Sequence, residues 1–293
     1  MRLLILMSLL IAFLGTEVNS QMPQTDVFLL NYKLVDKGLE LGETVRISEN
    51  KGYNNQPSFS KDCSSILYTS NKRDTSNTDI YQYDIANGKS KNIISGELSD
   101  YSPIFFNNHS VSYVRVEDDK KQKLHLLDLK SNKDTVLCNS SDSIGYYTWT
   151  GDNTLGLIVL DNGLELHSYK LSEDSTRIIS KPVGRFIAAQ KDSGRLFFLQ
   201  RNDSINFITC IDLRTMNSIH QYPALNGCED YAIDKYNGLY GGKDGILYRY
   251  DSTFVDHWRP ILNLKNIVGT FYRMSFCKCG SHLCVVAFSG KKP

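Results

Sequence analysis

Residues Pro57 to Tyr83 read PSFSKDCSSILYTSNKRDTSNTDIYQY. This stretch holds three short apolar runs, with a polar turn after each of the first two and no helical spacing. Such a pattern reads as successive short strands joined by tight turns. The fold then depends on whether this hairpin stands alone or is the repeat unit of the whole chain.

It recurs. The aromatic or aliphatic residue before each Ser/Lys/Asp/Gly-type turn marks one unit. The markers are Phe59, Phe105, Trp149, Ala189, Ile233 and Phe276, spaced 46, 44, 40, 44 and 43 residues apart. Within each unit one short strand ends in a tight turn and a second apolar strand follows. A polar loop leads to a third strand, seen as DIYQYDI, KLHLLDL, LELHSYKL, NFITCIDL and ILYRYD. Turns such as ANGK, KSNK and RTMN lead to a fourth. The strands are apolar at most positions rather than strictly alternating, which predicts burial on both faces. Four-stranded units of this period predict an all-β fold, a six-bladed β-propeller with four antiparallel strands per blade.

The sixth unit supplies only two strands, within RMSFCKCGSHLCVVAF. Near the N-terminus, DVFLLNYKL and ETVRISE read like the third and fourth strands of a blade. The last blade is therefore expected to be shared by about residues 26–48 and 267–289. Such closure removes the open sheet edges that template aggregation.

Pro57, Phe59, Ser60 and Asp62, then Ile66-Leu67-Tyr68, Ser70-Asn71, Asp79-Ile80-Tyr81 and Tyr83-Asp84, resemble the TolB-like six-bladed propeller repeat. Ser102-Pro103 and Phe105 in blade 2 and Arg273-Met274-Ser275-Phe276 in blade 6 keep parts of it. Blades 3 to 5 match by pattern alone. The resemblance implies an exported propeller that works as a binding or scaffolding module, often in a bacterial envelope.

The N-terminus agrees with export. Met1-Arg2 give a positive start, Leu3 to Leu14 form a 12-residue apolar run, and Val18-Asn19-Ser20 offers a cleavage site before Gln21. This is the layout of a signal peptide over residues 1–20. The run is shorter than the roughly 20 residues that span a bilayer. Residues 21–293 are expected to form the propeller, periplasmic or secreted, with no membrane segment after signal removal. Net charge is +1 with acids and bases interspersed, which argues against nucleic acid as a partner.

No catalytic signature is present. The chain contains no G-x-S-x-G elbow and no glycine-rich phosphate loop. His125 and His167 fall within strand patterns, as packed or edge residues. The run Glu117 to Lys120 lacks D-x-D-x-D spacing and reads as a solvated turn rather than a calcium loop. Three N-x-S/T matches, at Asn108, Asn139 and Asn202, are of the kind an Asn/Ser-rich chain produces by chance.

The densest cluster of metal-ligand types is CKCGSHLC, with Cys277, Cys279, His282 and Cys284 on one hairpin. Its C-x-C-x₄-C spacing does not match the usual zinc knuckle with a second distant pair. A disulfide across that hairpin, or buried thiols, is the plainer expectation. The seven cysteines leave at least one unpaired within the chain. No metal, cofactor or catalytic residue is expected.

Propeller geometry puts the loops between blades, and those joining second to third strands, on one face around the channel mouth. These loops carry Tyr53, Asn54, Arg73, Asp100, Tyr101, Tyr146, Tyr147, Glu229 and Asp230, aromatic and polar residues suited to recognising a partner on a rigid scaffold. The leading expectation is a non-enzymatic protein that binds a protein or peptide partner there, within an envelope complex. The alternative is a propeller enzyme or sensor acting on a glycan or small molecule in the channel. In that case Asp100, Glu229 and Asp230 should converge there as acid–base groups.

Overall fold

A computed structural model describes residues 22–35, 38–71, 77–141, 143–161, 163–190 and 193–289. The expected signal peptide and Arg73 lie outside the described residues. Six four-stranded antiparallel sheets form the six blades. Their inner strands are Asn54–Phe59, Ser99–Asn107, Ile144–Trp149, Val183–Gln190, Tyr231–Ile233 and Phe271–Phe276.

The last blade is shared, as its pattern predicts. From rim to centre it consists of Gly38–Arg46, Thr25–Val35, His282–Phe288 and Phe271–Phe276. Val27 faces Val286, and Leu29 faces Cys284, across the seam between the two ends of the chain. Ser289 Oγ adds a hydrogen bond of 2.7 Å to Asp26 Oδ2.

Burial falls from centre to rim. The second strand of blade 1, Ser65–Asn71, is buried at all but its last residue, whereas its outer strand, Lys89–Ile94, is largely exposed. Double-sided burial therefore holds for the middle strands and fails at the outer ones, which have no neighbour beyond them. Apolar side chains interlock between adjacent blades. Val27, Leu29 and Val286 of blade 6 pack with Ile66 and Tyr68 of blade 1. Each large side chain so buried contributes about 1.5–3 kcal/mol.

Many tyrosine and tryptophan side chains serve this packing with their polar ends. The Tyr147 hydroxyl and Trp149 Nε1 each donate to Ser112 Oγ of blade 2 at 2.8 Å. Trp258 Nε1 donates to the Pro223 carbonyl at 2.9 Å. Such donors are satisfied across blade boundaries.

Five of the six inner strands carry a shift in pairing register near the channel mouth. These lie between Asn55 and Ser58, Tyr101 and Ile104, Ile144 and Tyr146, Val183 and Ile187, and Phe271 and Arg273. Gln56 and Ser102 adopt φ of 57° and 53° there. A bulge leaves one residue unpaired and re-aims side chains. Here the re-aimed side chains line the axis of the ring.

Candidate ligand site in the central channel

A cavity of about 300 Å³ runs along that axis, and all six blades contribute to it. Its upper ring is Gln56, Ser102, Tyr146, Arg185, Asp230 and Arg273, one residue per blade. Beneath it Ser58, Ile104, Thr148, Ala188, Ala232 and Ser275 form a second ring. Most of these are small, which keeps the channel open below the polar ring.

Charge in the upper ring is uneven. Asp230 is 6% exposed and faces two guanidinium groups. Arg273 Nε and Nη2 donate to Asp230 Oδ1 at 3.3 and 3.2 Å, and Nη1 donates to Asn55 Oδ1 at 2.8 Å. Arg185 Nη2 sits 2.6 Å from Asp230 Oδ2, close enough for an ion pair but out of line for a hydrogen bond. Burial works against the Arg273 charge, but Asp230 and the nearby tyrosines outweigh it and hold its pKa above the ordinary arginine value. Two cations therefore share one carboxylate. Three polar atoms of the ring, Ser102 Oγ, Arg185 Nε and Asp230 Oδ2, are buried without a hydrogen-bond partner. Buried polar atoms are nearly always paired, so these three mark the polar ring as a candidate ligand site.

Tyrosines form the lip. The Arg273 guanidinium lies 5.7 Å from the Tyr146 ring centre and 5.9 Å from that of Tyr272, and Arg185 lies 5.6 Å from Tyr272. Tyr53 and Tyr101 meet edge to face, with centroids 6.3 Å apart. Burial raises the hydroxyl pKa of Tyr53 and Tyr272, which keeps both as neutral phenols able to donate.

Of the residues singled out from sequence, Asp230 and Tyr146 line the channel, and Tyr53, in ring contact with Tyr101, lies near Arg273 and Tyr146. Four others serve different ends. Asn54 is fully buried, donating to the Thr25 and Asn50 carbonyls at 2.8 and 2.9 Å and accepting from Ser70 Oγ at 2.7 Å. It ties blade 6 to blade 1. Asp100 is sealed against Arg115, which donates to both its oxygens at 2.8 and 3.1 Å. Tyr147 borders the cavity, but its side chain is buried and its hydroxyl donates to Ser112 of the neighbouring blade. Glu229, just before the inner strand of blade 5, is part-exposed and lies 2.5 Å from Arg201 Nη2. Of the three acids expected of an acid–base site, only Asp230 is among the residues lining the cavity.

Sequence reasoning missed Arg185, Arg273, Asn55, Gln56, Ser102 and Tyr272. A usable signal was present. Gln56, Ser102, Tyr146, Asp230 and Arg273 each lie three residues before their blade's marker. Arg185 lies four before Ala189, displaced by the register shift in its strand.

Two other expectations need revision. Cys284 lies buried in the last blade with its thiol free, and Cys63 of blade 1 takes its place beside Cys277 and Cys279. Glu117 is not a merely solvated turn residue, since its carboxylate lies 2.7 Å from His125 Nε2.

No family model and no curated protein matches the chain. Solved structures do. TolB from Acinetobacter baumannii aligns with a TM-score of 0.59 at 13% identity, covering 90% of this chain. This chain spans 64% of the length of that TolB chain. A gluconolactonase from Xanthomonas campestris aligns with a TM-score of 0.62 at 8% identity, covering 92% of this chain and 97% of the other. An oligogalacturonate lyase from Vibrio parahaemolyticus gives 0.57 at 12%, covering 87% and 84%. At such identities the likeness establishes the fold alone, and that fold is the TolB-like six-bladed propeller. Among the described residues no helix is long and apolar enough to cross a membrane.

Proposed function

We propose that this protein is an exported, non-enzymatic binding or scaffolding propeller. It recognises a protein or peptide partner at the channel-mouth face and takes an acidic group of that partner into the upper ring. The observation that carries this reading is the pairing of Arg185 and Arg273 with a single carboxylate, beside the unpartnered Ser102 Oγ and Arg185 Nε. A planar guanidinium receives a carboxylate through two parallel hydrogen bonds. The tyrosine lip offers flat surfaces and hydroxyl donors for the flanking segment. The fold is shared with a gluconolactonase and a lyase, so fold does not choose between binding and catalysis. That Asp230 alone of the three acids lines the channel supports binding.

The test is binding of fluorescent acidic, neutral and basic decapeptides to residues 21–293. Acidic peptides should bind, and both Arg185→Gln and Tyr101→Ala should weaken them with little loss of thermal stability. Equal retention of acidic and basic peptides, or indifference to Arg185→Gln, would overturn the proposal.

A further inference from the structure

Three sulfurs meet on the face of the disc opposite the channel mouth. Cys63 lies in the turn after the inner strand of blade 1, and Cys277 and Cys279 lie in the matching turn of blade 6. All three Sγ atoms lie within 4.8 Å of one another. Cys277 is placed to bond with either neighbour, with Cα separations of 6.0 Å to Cys63 and 5.4 Å to Cys279. Both fall within the roughly 4.4–6.8 Å that disulfides span. One sulfur takes one disulfide partner, so the two pairings are alternatives on a single backbone.

We infer that these residues form a thiol–disulfide exchange site, in which a Cys63–Cys277 staple between blades interconverts with a Cys277–Cys279 bond inside one hairpin. In the opening step the Cys279 thiolate attacks Cys277 Sγ. A new S–S bond forms as the Cys63–Cys277 bond breaks, and its electron pair leaves on the Cys63 sulfur. The proton released by Cys279 ends on Cys63. No electrons are gained or lost overall, so a chain holding one disulfide needs no oxidant or reductant for the exchange.

The surroundings suit each part of that step. Cys279 is exposed, while Cys63 and Cys277 are buried. Cys279 Sγ lies 3.5 Å from His282 Nδ1 and 2.9 Å from Ser281 Oγ, so a proton acceptor stands beside the attacking thiol. The Cys279 backbone N–H points at both Cys63 Sγ and Cys277 Sγ, each at 3.2 Å. It can therefore steady the charge released on Cys63. Cys63 also occupies an unfavourable backbone position, with φ of 60°. The equivalent turn positions hold Asn237 and Gly280, at 67° and 79°, residues that tolerate that region far better. The staple joins positions 214 residues apart. It sits where blade 1 meets the blade built from both ends of the described chain, so exchange would loosen the ring at its seam.

The test uses the full chain, purified without reductant, quenched in acid and digested with trypsin before any reduction. Cleavage after Lys61, Arg273 and Lys278 puts the three cysteines on separate peptides. Both linkages should be found in one preparation. Prolonged treatment of the native protein with N-ethylmaleimide should then trap exposed Cys279 and drain the population into the Cys63–Cys277 form, with complete loss of the Cys277–Cys279 linkage. The Cys279→Ser variant should hold only the staple. One linkage alone in the wild type, a mixture that maleimide does not shift, or three reduced thiols holding zinc would each overturn the inference. The wild-type measurement decides the question whether or not a variant folds.

Discussion

Replacing Asp230 with Asn should weaken the fold and strengthen acidic-peptide binding at the same time. The Asp230 side chain is 8% exposed and lies 2.6 Å from Arg185 and 3.2 Å from Arg273. Arg273 is itself 13% exposed, and without Asp230 its remaining side-chain hydrogen bond is to Asn55. Removing one partner of a buried ion pair costs about 3–5 kcal/mol. Arg185 is 33% exposed, so water solvates part of its loss, and the Asn carbonyl keeps one acceptor in place. The expected cost is therefore about 3 kcal/mol, the lower end of that range. At about 2–4 °C per kcal/mol for a chain of this size, Tm should fall by roughly 6–12 °C. The carboxylate that competes with an incoming anion would be gone, and about 1.4 kcal/mol of added attraction makes Kd about tenfold smaller. Urea titration reads the first effect, with an unchanged slope, and fluorescence anisotropy of a labelled acidic decapeptide reads the second. Affinity falling in step with stability would count against this account, because Asp230 would then be contacting the ligand rather than restraining the two arginines.

Other consequences follow from packing and charge. A Cβ on Gly242 would stand 2.4 Å from a Phe271 ring carbon, so Gly242→Ala should destabilise by about 1–3 kcal/mol in urea titration. Burial pulls the His125 pKa down, but Asp134 and Glu117 outweigh it and leave the value raised. A raised folded value means stability complete below about pH 6.5 and lost as pH climbs through the folded pKa, so the urea midpoint should fall above that pH. The His125→Gln variant should flatten this dependence. Closing a loop of 214 residues by the staple removes up to about 5 kcal/mol of unfolded-chain entropy. Cys63→Ser, which cannot form it, should therefore melt well below Cys279→Ser in calorimetry without reductant.

Much of the architecture is legible in the linear chain, because a propeller blade is a local object. Its four strands follow one another within one repeat, so the 40- to 46-residue spacing from Phe59 to Phe276 already defines the ring. The two-strand deficit after Arg273 assigns the N-terminal strands to the last blade, since closure leaves no other sheet edge to cover. The channel ring is half legible. Five of its six members share one offset from their marker, while Arg185 is displaced by the shift in its strand, which propensity does not reveal.

The pairings between blades, by contrast, exist only once the ring has closed. Nothing local separates Asp100 from Asp230, both acidic residues at the start of an inner strand. Asp100 is withdrawn from the channel by Arg115 within its own blade, whereas Asp230 is held at the axis by Arg185 and Arg273 from the blades on either side. Asn54 reads as a loop residue until its amide is seen bridging to Thr25. Cys63 reads as a small buried residue until ring closure brings Cys277 beside it across 214 residues. Composition and periodicity determine the strands and their count because those rest on neighbours in the chain. The charges and thiols depend on which blades end up adjacent, and closing the ring is what settles that.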